Sequence, residues 1–110
     1  MKTSVEEIKK AFVKTKLNPK QGVVFLEDGV DAIGALAVTN GAKKTLEATQ
    51  EWADKVFGWE YTTGVMHGWD FSKSNGKNKK YLEGYKTGKA AAREMGLNTA
   101  SARKAGAGPD

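Results

Sequence analysis

The sequence predicts a mainly α fold: a compact single domain of four to five short helices with one short β element, a strand or small hairpin near residues 22–26. Three observations carry this expectation. Apolar residues recur at helical spacing in several separate stretches. Ten aromatic side chains in 110 residues suffice for one small core, with no disulfide or metal needed to hold it. The run from Gly22 to Leu26 reads as a short β-prone element, and no convincing second strand pairs with it.

The elements follow in order. Ser4 and Glu7 have the spacing of a capping box, with Ser4 as N-cap and Glu7 reaching back to its N–H. Val5, Ile8, Phe12 and Val13 continue at helical spacing until Asn18-Pro19, which gives a first helix over 5–16. After Gly22–Leu26, the turn sequence Glu27-Asp28-Gly29 leads into an Ala-rich stretch, Val30 to Asn40. With Gly41 as C-cap, it reads as a short and nearly buried helix, and Asp31 favours the dipole at its start. Leu46, Thr49, Trp52, Ala53, Val56 and Phe57 form the apolar face of a helix over 43–57, with Gly58 beyond its end. Residues 60–71 form the next helix, despite the strand-like propensity of Trp59-Glu60-Tyr61-Thr62-Thr63. A polar, basic connection over 72–80 precedes a long helix over 79–95, which Gly96 stops. Residues 1–97 are thus expected to form the globular domain. Residues 98–110, ending Ala-Gly-Ala-Gly-Pro-Asp, have little to bury and are expected to be a flexible C-terminal tail. The expected core is Ile8, Phe12, Leu36, Trp52, Val56, Phe57, Val65, Trp69, Tyr85 and Met95.

One pattern repeats. Tyr61-x-x-Gly64-x-x-x-Gly68 and Tyr81-x-x-Gly84-x-x-x-Gly88 lie twenty residues apart, and in both the glycines fall within the apolar helix face. Each glycine inside a helix costs about 1 kcal/mol relative to alanine, so four of them imply a purpose. The simplest is that the last two helices pack together, each ring filling the glycine notch of the other. A second reading places a partner helix, or the same helix of a second copy, in one notch. Lys86, Lys89, Glu83 and Asp70 exclude membrane pairing of these helices.

The search for catalytic chemistry excludes more than it finds. The chain has no Cys and one His, which removes thiolate zinc sites, multi-histidine metal sites and cysteine nucleophiles. His67 and Asp70 share a helix-compatible spacing, but two ligands do not make a metal site, and His67 reads as an exposed or capped histidine. Gly84 to Lys89 falls one residue short of a phosphate-binding loop, and Ala90 stands where its hydroxyl is required. Glu27 to Asp31 lacks the alternating ligands of a calcium loop. The segment Trp52–Trp69 has a helix-turn-helix outline, but its second helix carries no Arg, Lys, Asn or Gln to read a groove. No enzyme, cofactor or metal is expected. The Met1 start without an apolar run behind it indicates neither a secretory signal nor a membrane span, and the cytoplasm is the expected compartment.

Charge supplies the functional lead. The formal net charge of +5 divides into +4 over residues 1–20, −5 over 21–70 and +6 over 71–110. Lys77, Lys79 and Lys80 precede or open the last helix, and Lys86, Lys89 and Arg93 continue along it away from the Tyr81–Met95 stripe. Ser74 and Asn75 stand nearby as donors, and the helix start adds its positive dipole end. These six residues are the candidate anion- or partner-binding set. The expected function is that of a small non-enzymatic binding protein whose partner is an acidic protein surface. The alternative is non-specific nucleic-acid binding through segment 72–93. Lysine outnumbers arginine heavily, which counts against sequence-specific DNA reading.

Overall fold

A computed structural model describes residues 1–22, 29–74 and 76–97. Helix α1 spans Val5–Thr15, and Ser4 caps it by accepting the Glu7 N–H at 3.2 Å. It ends at Lys16, whose φ of 59° places it in the left-handed region while its N–H bonds the Phe12 carbonyl. The chain then forms β1, Asn18–Pro19, which pairs in parallel with β2, Gly29–Val30; Asn18 lies opposite Gly29 and Pro19 opposite Val30. The two strands flank the run expected to be extended. Gly22 itself is not a strand residue, and Val23 to Leu26 lie outside the described residues, as do the tail residues 98–110.

Helix α2, Ala32–Thr39, starts from Asp31, whose Oδ1 accepts the Gly34 N–H at 2.7 Å. All residues from Ala32 to Ala37 are buried, because α2 packs against three helices. Those are α1, α3 (Leu46–Val56) and α4 (Trp59–Trp69). Helix α3 begins three residues later than the periodicity suggests, because Thr45 caps it by accepting the Ala48 N–H. Gly58, at φ 85°, turns the chain directly into α4. Helix α5 spans Lys79–Glu94 and is capped by Asn78. The result is a mainly α single small domain with one short two-stranded parallel sheet.

The α4–α5 pair explains the repeat. An added Cβ at Gly64 would collide with the Tyr81 carbonyl, and one at Gly68 with the Tyr85 carbonyl. Reciprocally, Gly84 abuts the Tyr61 carbonyl and Gly88 the Val65 carbonyl. The expected pairing of the two helices therefore holds, but peptide backbone fills the notches where rings were expected. Because residue numbers rise together across these contacts, α4 and α5 are parallel. Each residue of α4 corresponds to the residue twenty positions later in α5, so the repeat is a local two-fold relation between the helices. Glycine aims a Cα–H at each carbonyl, a weak contact that only close backbone approach allows. All four notches are filled from within the chain, which leaves no glycine notch for a second copy.

Parallel neighbours need a connection that runs back along the pair. Phe71, at φ 56° and buried to 2% exposure, turns the chain away from the end of α4. Trp69 is fully buried, stacks on Phe12 at 5.5 Å between centroids, and donates its indole N–H to the Lys20 carbonyl. Ile8, Leu36 and Val65 join them in the core, while Trp52, Phe57 and Met95 pack against it partly buried. Two expected core residues differ. Val56 is only half-buried at the end of α3, and Tyr85 lies at the core margin because its hydroxyl reaches the Ser72 carbonyl at 2.6 Å. The backbone contact of α4 and α5 leaves room between them for glycines but not for that ring.

Candidate functional site

Helix α5 sorts its side chains around its circumference. Tyr81, Gly84, Gly88, Ala91 and Ala92 are buried. Lys79, Leu82, Lys86, Lys89 and Arg93 recur at i, i+3, i+7, i+10 and i+14, which places them on one stripe on the outer side. At 1.5 Å per residue the stripe runs about 21 Å. Between the stripe and α1 lies an acidic edge, Glu83 and Glu94. Both acids are taken by the N-terminal region: Lys2 bonds Glu83, and Lys9 lies 3.5 Å from Glu94. The hydrogen bond from Lys2 holds the Glu83 carboxyl below its ordinary range. The basic N-terminus therefore neutralises the acids of α5 and leaves the helix with a predominantly positive outer face.

The structure brings together five of the six candidate residues on or beside this face. Lys77, Lys79, Lys80, Lys86 and Arg93 are exposed, and Lys89 is half-buried with its ammonium 5.4 Å from the Tyr85 ring centroid. Lys80 stands apart, since it lies about 100° around the helix from Lys79, on the far side of Glu83. Leu82 is 43% exposed in the middle of the basic residues, an apolar contact point that charge counting overlooks. The start of α5 differs from the expected phosphate cradle. Asn78 Oδ1 already accepts the N–H groups of Lys80 and Tyr81, and Asn78 Nδ2 donates to Glu60 at 2.9 Å. A carboxylate thus stands at the helix end where an anion would sit. Ser74 is exposed, and Asn75 lies outside the described residues.

His67 and Asp70 have separate partners. His67 Nδ1 is 2.7 Å from the Tyr81 hydroxyl, whereas Asp70 Oδ1 accepts the Gly22 N–H at 2.8 Å. Burial raises the Asp70 carboxyl above its ordinary value, against the pull of the Gly22 N–H and of nearby His67. Asp31 is 2% exposed, and burial pushes its carboxyl up to about 8, with the Gly34 N–H opposing and the Asp70 charge reinforcing the shift. Among the described residues, no group of three or more His, Cys, Asp or Glu side chains is placed to hold a metal ion.

A second feature escaped the sequence reading. A cleft of about 300 Å³ opens between α2, α3 and α4. Ile33 and Thr49, both 1% exposed, and the half-buried Met66 and His67 line its inner part, while Asp54 and the 69%-exposed Trp59 stand at its mouth. The Thr49 hydroxyl is buried and has no hydrogen-bond partner among the described residues. Such a group costs about 1–3 kcal/mol, so Thr49→Val should raise stability by about 1 kcal/mol in urea unfolding. An unchanged or lowered midpoint would show that the hydroxyl is satisfied.

These features define a small mainly α domain built on a glycine-packed parallel helix pair, with a positive outer face and an acidic, cleft-bearing side. Comparison of the chain with protein-family models, curated proteins and solved structures finds no match in any of the three. No helix among the described residues is long and apolar enough to cross a membrane.

Proposed function

We propose that this protein is a small non-enzymatic binding module, acting in the cytoplasm, that engages an acidic protein surface through the outer face of α5. The observation that carries this reading is the partition of α5, in which Lys2 and Lys9 take up the acidic edge and the stripe Lys79–Arg93 faces outward with Leu82 among its cations. An apolar side chain among exposed cations suits a protein partner, which offers both carboxylates and an apolar contact. Non-specific nucleic-acid binding is the weaker alternative. Phosphate contacts alone would have to carry it, since base stacking has no platform on this face: Tyr81 is 5% exposed, Trp69 is fully buried and Tyr85 lies beside Lys89.

Changing Lys77, Lys79 and Lys86, exposed residues on or beside the face, to Gln together should leave the melting temperature unchanged and weaken binding to polyglutamate several-fold at low salt. The Lys→Arg version should retain binding, because a diffuse electrostatic contact depends on charge more than on geometry. Titration of a single-stranded oligonucleotide over a salt series discriminates the alternative. Binding tighter than to polyglutamate, with a log-affinity versus log-salt slope that falls by about 2 units in the triple variant, would favour nucleic acid. Absence of binding to either polyanion would overturn both readings.

A further inference from the structure

We propose that the cleft between α2, α3 and α4 binds a small organic cation, a primary amine carried on a compact apolar body. The cleft's volume of about 300 Å³ is at the lower end of small-molecule sites. Its inner wall offers the apolar side chains of Ile33 and Met66, which suit a hydrocarbon or ring. Among the described lining residues, Asp54 alone carries a formal charge, and it is negative. The surroundings reinforce that sign. Glu60 lies in the first turn of α4, whereas Glu51 and its partner Lys55 line a separate pocket on the other side of α3. The field at the mouth therefore attracts cations and repels carboxylates or phosphates.

Trp59 supports the same class of ligand. It is the first residue of α4, held there by the Gly58 turn, and it remains 69% exposed while lining the same cleft as Asp54. An indole face and a carboxylate at one opening are the two groups that hold an ammonium best. Deeper in, His67 is fixed through Nδ1 by the Tyr81 hydroxyl, which leaves Nε2 as its second polar atom, and Thr49 carries its unpartnered hydroxyl. The site thus grades from a charged, aromatic mouth to an apolar interior with sparse polar groups. This cleft is separate from the α5 stripe, and its occupancy does not depend on the macromolecular partner proposed above.

The test uses three probes of matched shape: benzylamine, benzyl alcohol and benzoate, each titrated into the full chain and followed by amide and indole NMR shifts. Benzylamine should move the Trp59 indole and the Thr49, Thr63 and His67 amides saturably, with affinity about tenfold above that of benzyl alcohol. Benzoate should show no saturable shift at these positions. Asp54→Asn, at an exposed position, should abolish the preference for amine over alcohol, and Trp59→Ala should weaken both. The proposal is overturned if benzoate binds as well as benzylamine, if benzylamine leaves the cleft resonances unmoved, or if Asp54→Asn keeps the preference intact.

Discussion

Gly64→Ala and Gly84→Ala should each destabilise the protein by about 2–4 kcal/mol, although alanine is the better helix former by about 1 kcal/mol. The added methyl group has no free direction. At Gly64 it meets the Tyr81 carbonyl and at Gly84 the Tyr61 carbonyl, and both obstacles are backbone within a helix that cannot yield locally. The helices would have to separate along their whole contact, losing burial of Val65, Ala91 and Ala92 with it. Leucine at either position should cost more still. Urea unfolding with an exposed-site control, such as Lys86→Ala, gives the comparison. An alanine variant with a midpoint at or above wild type would show that the helix backbones are not in contact.

The second large effect is on pH. Asp31 holds its proton up to about 8 in the folded protein, against an ordinary value of 3.8. Between these values the native state binds more protons than the unfolded state, so stability falls as pH rises. The raised Asp70 carboxyl acts in the same direction. Each unit of separation corresponds to about 1.4 kcal/mol, so the loss from pH 5 to pH 9 should reach several kcal/mol and then level off. Asp31→Asn keeps a side-chain oxygen to accept the Gly34 N–H and is an equally good N-cap, but it has no proton to lose. The variant should match wild type near pH 3 and exceed it increasingly up to pH 9, with a much flatter profile in denaturant titrations. A wild-type stability that rises over this range, or a variant with the same slope, would mean that Asp31 is ionised in the folded state.

Much of the fold was legible because helices announce themselves locally. Ser4 and Glu7 mark the start of α1, and the apolar spacing through Trp52 and Ala53 marks α3. Other features arise only between elements. A two-residue strand such as Asn18–Pro19 has no alternation to read, and its partner lies eleven residues on. The Tyr-x-x-Gly-x-x-x-Gly repeat identifies a packing face, but periodicity is blind to direction, so the parallel arrangement and the backbone contact emerge only with Gly64 against Tyr81. Tyr85 shows the same limit, since its helical position is apolar while its hydroxyl is drawn outward to Ser72. The basic stripe was readable from spacing. Its isolation from Glu83 and Glu94 was not, because Lys2 and Lys9 come from the far end of the chain. The cleft draws on three helices, and no single stretch of sequence contains it.

Mapping the surface that engages an acidic chain tests the central claim most directly. In a polyglutamate titration of the full ¹⁵N-labelled protein at low salt, the amide shifts of Lys79, Leu82, Lys86, Lys89 and Arg93 should move together and saturate. Those of Glu47, Glu51 and Asp54 on α3 should stay in place. Added salt should reverse the shifts, since exposed charges are screened over about 10 Å at 0.1 M ionic strength. Shifts centred on α3, or spread evenly over every exposed lysine including Lys43 and Lys44, would contradict a binding face on α5.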